Sequence, residues 1–131
     1  IQTILKAIVR TIRCRYYLPT NTKTLWNLLI NVKSYPQYIP FVKSVQIDGE
    51  LEENSTWSDI TTILFFPMKI THIAKDIKKE KLLYYVIPLP LNGSMSERIE
   101  LEEKDPGCFV SVSVSFDLGN LILNIFIGFF S

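Results

Sequence analysis

His72 is the only histidine in this 131-residue sequence, and so the one side chain whose ordinary pKa lies near neutrality. It shares a strand register with Met68, Ile70 and Ala74, the more apolar side of its stretch, so it is expected to point inward. A lone histidine there is by default a hydrogen-bonded core residue. It could also anchor a ligand carbonyl or hydroxyl, or act as a base if a partner stood in reach. Asp59 is the candidate partner, in register with Trp57, Thr61, Ile63 and Phe65 on the neighbouring stretch. The alternate side, with Ile60, Leu64 and Phe66, is just as apolar, so pattern alone does not settle which side faces in. Glu97 shares a register with Met95 and Ile99, and is either a strand-end residue or one acid in a pocket. Arg98, in register with Ser94, Ser96, Glu100 and Glu102, reads as solvated. Tyr84 and Tyr85 must point opposite ways, and the inward one needs a partner for its hydroxyl.

Other chemistry is scarce. The sequence has no Gly-rich phosphate loop, no HExxH, no GxSxG and no paired carboxylates at a convincing spacing. Neither a metal site nor a cofactor is expected. Cys14 and Cys108 lie far apart with no CxxC or Cys/His spacing, and buried free thiols are the default, although strand neighbours could pair. A reducing, cytoplasmic setting follows. The net charge is +1, and the densest basic cluster, Lys75 to Lys81, includes Asp76 and Glu80 and reads as a solvated hairpin turn. A nucleic-acid partner is not expected.

The elements that must position these residues begin with length. A chain of 131 residues, 47% hydrophobic and 21% charged, is one globular domain over 1–131. It opens on Ile1 rather than Met and closes inside an apolar run, so it is expected to be a trimmed piece or an ordered core. Lys6, Arg10, Arg13 and Arg15 interrupt the first apolar stretch, which excludes a signal-peptide pattern. The last run, LILNIFIGFF, has about half the length of a membrane span, so no integral membrane insertion is expected. Ile4 to Leu18 reads as a strand, rich in Ile, Val, Thr and Tyr. Thr20, Asn21 or Thr22 can cap a helix in which Leu25, Leu28 and Leu29 share one side. Ser34 can cap a second short helix with Pro36 in its first turn, stopped by Pro40. Strands follow at Val42 to Asp48, Ser55 to Phe66 closed by Pro67, Met68 to Ile77, Leu82 to Ile87, Ser94 to Glu103 and Cys108 to Phe116. Asp105-Pro106-Gly107 has turn chemistry. Leu121 to Phe130 is apolar nearly all round and reads as a buried helix, with a strand as the alternative its Ile, Phe and Gly content leaves open.

The order is strand, helix, helix, six strands, helix. Short connections make the strands an antiparallel meander with one apolar side to cover. The fold class is α+β: a curved seven-stranded antiparallel sheet wrapped around a long C-terminal helix, with two short helices between strands 1 and 2.

Within this frame, Leu25-Trp26, Leu29, Asn31-Val32 and Tyr35-Pro36-Gln37-Tyr38-Ile39-Pro40-Phe41-Val42 resemble the pattern "vW.ll.dv..YP.yiPfv" of the START-like (SRPBCC) superfamily. The closest flavour is the polyketide cyclase and coenzyme Q-binding branch. By element order the resemblance covers the whole chain; its specific motif spans only Leu25 to Gly49 and is structural. The C-terminal helix stops early for that family. The resemblance implies a helix-grip fold with a deep apolar cavity between sheet and long helix, used for lipids, quinones or polyketide-like molecules. The residues expected to line it are Tyr38, Phe41, Asp59, Ile70, His72, Tyr84, Met95, Phe116, Ile122 and Phe126.

Three roles follow in order. The first is a carrier or sensor of a hydrophobic small molecule, without catalysis and with no catalytic residue assigned, as a monomer or weak dimer. The second is an aromatase/cyclase-type enzyme using His72, Asp59 or a tyrosine. The third is a protein-interaction module, such as a ribosome-associated factor, presenting Tyr35, Tyr38 and Phe41.

Overall fold

The computed structural model describes residues 9–63, 65–89 and 93–117. Strand β1 (Val9–Leu18) leads into α1 (Thr22–Ile30) and a 3-10 helix (Val32–Gln37). Then come β2 (Val42–Ile47), β3 (Thr56–Ile63), β4 (Phe66–Lys78), β5 (Leu82–Pro88), β6 (Ser94–Lys104) and β7 (Gly107–Asp117). They form one curved, seven-stranded antiparallel sheet in the order β1-β7-β6-β5-β4-β3-β2. The α+β class, the sheet and the two short helices after the first strand match the sequence expectation. The expected C-terminal helix, with Ile122 and Phe126, lies outside the described residues.

Local chemistry explains the elements. Asn21 starts α1: its side chain accepts the Thr24 backbone N–H at 2.7 Å, satisfying one of the helix's orphan donors. The 3-10 helix begins earlier than expected. Ser34 is not its cap; its backbone N–H and hydroxyl both donate to the Asn31 carbonyl, so the turn starts at Val32 and Pro36 falls inside it. The hydroxyls of Tyr35 and Tyr38 donate to the carbonyls of Leu29 and Leu28, tying this helix to the otherwise unsatisfied end of α1.

The β3–β4 hairpin also differs from expectation. Ile63 pairs with Phe66, so the chain turns before Pro67 rather than at it. Phe65 makes this tight turn possible with φ of +73°. Pro67 pairs with Thr62 inside β4, where its missing N–H is tolerated because pairing with β5 begins only at Ile73. At the other end, β1 and β7 approach closely at Gly107. A Cβ there would collide with the Leu18 carbonyl oxygen, so only glycine fits.

The pairing registers assign the two sheet faces. Trp57 pairs with His72, Ala74 with Tyr85, Tyr85 with Glu97, Glu97 with Val114 and Val114 with Ile12, so these residues share one face. This inner face carries the core: Trp57, Ala74, Leu83, Tyr85, Ile99, Leu101, Cys108 and Val110 are buried together with Trp26, Val32 and Tyr35 of the helices. Each large side chain so buried contributes about 1.5–3 kcal/mol. Thr22 also donates to Glu103 at 3.1 Å, which pins the start of α1 to β6. Leu28, expected on the same side as Leu25 and Leu29, is exposed, whereas those two pack on the core. Both cysteines are free thiols; Cys108 is buried as expected, but Cys14 is exposed. Cys14 pairs with Val112 and Cys108 with Leu18, so the two are out of register for a bridge.

Candidate ligand-contacting wall

Strands β3, β4 and β5 assemble an aromatic and ionisable cluster on the inner face. Direct pairing of Trp57 with His72 stacks their rings, with centroids 3.9 Å apart and planes 6° from parallel. Tyr85 stands edge-on to both at 5.8 Å, and Tyr35 of the 3-10 helix meets Trp57 edge-on at 5.6 Å. These offset geometries suit the ring quadrupoles.

Asp59, one pleat along from Trp57, reaches His72: Oδ2 lies 2.9 Å from Nε2. Its other oxygen accepts the Thr61 hydroxyl. Both members of the pair are buried. Burial pushes the His72 pKa below 6.5, outweighing the opposing pull of Asp59. At neutral pH the imidazole is therefore uncharged. With Asp59 accepting, the proton sits on Nε2, leaving Nδ1 with a free lone pair. That Nδ1 is buried without a hydrogen-bond partner among the described residues.

Two more polar atoms on this wall share that state. The Trp57 Nε1–H and the Tyr85 hydroxyl are buried and unpartnered. The Trp57 N–H lies towards the Tyr85 oxygen and pulls its pKa down, against the larger effect of burial, but the two do not meet in hydrogen-bonding geometry. Burial, and next the neighbouring Glu97, push the Tyr85 pKa well above 10, so its hydroxyl is a donor at any working pH. Burial also pushes Tyr35 up strongly. Glu97 is raised by burial first and by the Asp59 charge second. Among the described residues no three His, Cys, Asp or Glu side chains gather as metal ligands would.

The sequence-predicted residues fall in three groups. Asp59 and His72 are brought together, and Ile70 pairs with Asp59 beside them, half-buried. Met95 and Phe116 pair with each other further along the same face, also half-buried. Tyr38 packs 5.8 Å from Tyr35 but is 43% exposed, and Phe41 is 64% exposed. Tyr84 is a correction: it stands on the outer face, where the Arg98 guanidinium lies 6.0 Å over its ring. Tyr85 holds the inward place. The β-bulge between Ala74 and Asp76 shifts the β4–β5 pairing and hides this choice from sequence. Trp57 and Tyr35, absent from the expected lining, both belong to the cluster, with Trp57 as its largest ring. Their signal was present in the register of Trp57 with Asp59 and in the Tyr-Pro segment.

No family model matches the sequence, and no curated protein matches it. Solved structures do. The Zhui aromatase/cyclase from Streptomcyes sp. R1128 superposes with a TM-score of 0.73 at 16% identity, covering 82% of this chain and 67% of that one. The ginseng major latex-like protein 151 from Panax ginseng gives 0.72 at 13% identity, covering 84% and 80%. A START superfamily protein from Mycobacterium smegmatis gives 0.70 at 10% identity, covering 81% and 75%. At such identities the likeness is one of fold alone: this chain has the fold that these solved structures share.

Proposed function

We propose that this protein binds a hydrophobic small molecule against the inner face of its sheet, as a carrier or sensor. The ligand presents an oxygen function to the Trp57–His72–Tyr85 cluster. The observation that carries this reading is the set of three unpartnered polar atoms, Trp57 Nε1, Tyr85 Oη and His72 Nδ1, buried in an otherwise apolar wall. A buried polar group without a partner costs about 1–3 kcal/mol, and three on one wall are accounted for by a ligand that satisfies them. Two donors and one acceptor suit a carbonyl, phenol or quinone oxygen beside a hydroxyl. Ile70, Met95 and Phe116 supply apolar contact. Two free thiols, one exposed, support a reducing cytoplasmic setting.

The test is native mass spectrometry of protein purified from its own host, followed by titration of the co-purifying molecule. Tyr85→Phe is expected to weaken that binding up to about tenfold, the worth of one hydrogen bond, while leaving the fold intact. A wild-type protein that carries no hydrophobic molecule and takes up no quinone, lipid or polyketide mimic removes the reading.

The Asp59–His72 pair supports a second reading, proton abstraction by Nδ1 in an aromatase/cyclase-type reaction. Asp59 would hold the tautomer and stabilise the imidazolium that forms. Turnover of a poly-β-ketone mimic that is lost in His72→Gln would establish it.

A further inference from the structure

We propose that the tip of the β3–β4 hairpin docks on an anionic lipid surface, with Phe65 and Phe66 entering the interface and Lys43 and Lys69 holding phosphate headgroups. Phe65 is 95% exposed, Phe66 71%, Phe41 64% and Met68 48%. They are contiguous. Phe66 closes the hairpin opposite Ile63, Met68 pairs with Thr61, and the Thr62 N–H donates to the Phe41 carbonyl at 3.0 Å. The other exposed large apolar residues lie elsewhere, on β1 and the helices, as ordinary surface residues do. A phenylalanine at φ +73° is a conformational outlier, and the turn uses it to project the ring outward rather than to bury it. Pro67 follows and restricts Phe66 to extended backbone, so the tip is stiff.

The charge pattern selects the partner. Lys69 pairs with Ile60, which in turn pairs with Ser44, so Lys69 and the adjacent Lys43 sit just behind the apolar tip. Both are exposed, and neither makes an ion pair among the described residues. Neither 39–47 nor 61–70 contains an acid. An apolar tip behind which cations gather matches the depth profile of a bilayer with anionic headgroups. A second copy fits poorly: a two-fold contact would set the lysines of one copy against those of the other, and four side chains bury too little for a stable dimer. Phe66 and Met68 share the face of Ile70 and His72, so docking sets the end of the inner wall at the membrane. The proposal stands whether or not that wall binds a ligand.

The experiment is co-sedimentation with phosphatidylcholine vesicles, with and without phosphatidylglycerol, at low and high salt. Wild type is expected to pellet with the anionic vesicles and to be released by salt. The Phe65→Gly, Phe66→Ser double variant is expected to lose at least about tenfold in partitioning on both vesicles. Lys43→Gln with Lys69→Gln is expected to lose roughly fivefold or more, on anionic vesicles alone. Phe65→Gly suits a positive φ, so the fold survives, and circular dichroism with binding of a hydrophobic dye verifies it. Should the double variant unfold, Phe65→Gly alone carries the test. Wild type left in the supernatant with both vesicles overturns the proposal, as does a folded phenylalanine variant that pellets like wild type. A wild-type dimer that the same variant dissociates assigns the tip to a second copy, and overturns it too.

Discussion

Tyr84 and Tyr85 are neighbours on β5 and live in opposite worlds. On the outer face, Tyr84 lies under Arg98, which also binds Glu100 at 2.7 Å. Arg15 pairs with Glu102 at 2.9 Å and covers Phe109, and Thr11 meets Ser115 at 3.0 Å. Most polar groups there find one another or face water; the Thr62 hydroxyl, buried and unpartnered among the described residues, is the exception. On the inner face, Tyr85, Trp57 and His72 each keep a buried polar atom without a partner. Within that cluster, among the described residues, only the Asp59–His72 and Asp59–Thr61 side-chain contacts are made. The same strands thus carry a self-sufficient surface and an incomplete one. An incomplete polar set is cheap in water and costly in a core, so the inner face, not the outer, points to a ligand.

The largest effect that would sharpen this contrast is structural. Trp57→Ala removes the ring that His72, Tyr35 and Tyr85 all pack against, and is expected to cost about 3–5 kcal/mol in chemical denaturation. A loss below ~1 kcal/mol would mean the cluster is not a packed core.

The next effect is in pH. Burial depresses the folded pKa of His72, so its contribution to stability is complete above 6.5 and is lost as pH falls towards the folded value. Burial raises Glu97 from 4.5, so its contribution has the opposite sign: it is complete below 4.5 and lost as pH rises through the folded value. Between these limits the two oppose each other. His72→Gln therefore leaves the Glu97 slope uncovered, and stability is expected to fall with rising pH above 4.5, by up to about 1.4 kcal/mol per pH unit for one proton. A His72→Gln profile that overlays wild type between pH 4.5 and 6.5 would place His72 outside the buried set.

The smallest effect belongs to the outer face. Arg98→Ala removes an exposed pair with Glu100 and a long cation–π contact, and is expected to change stability by at most about 1 kcal/mol, less at high salt. A larger loss would show that the outer face is not the self-sufficient surface its contacts describe.

Much of the fold was legible because alternation on β6 and β7 is clean. Met95, Ile99 and Leu101, and Cys108 to Phe116, sort correctly onto one face. The Tyr-Pro segment pointed to the fold that the similar solved structures share before any contact was visible. Asp59 and His72 were legible as partners only conditionally, since the other side of β3 is equally apolar. The hairpin tip was misjudged because Pro67 looked like a strand end, when the turn depends on a phenylalanine in a backbone region that propensity assigns to glycine.

By itself the sequence determined the order and type of the elements over the described residues, the inward register of His72, and the poverty of catalytic motifs, because these rest on local periodicity and on which residue types are present. Tertiary structure decided that Tyr85 and not Tyr84 enters the core, that Asp59 meets His72 at 2.9 Å, and that Phe65 and Phe66 stand in water. Each of those outcomes depends on how one strand registers against the next, shifted by a bulge or a tight turn, and a one-residue slip reverses every side chain.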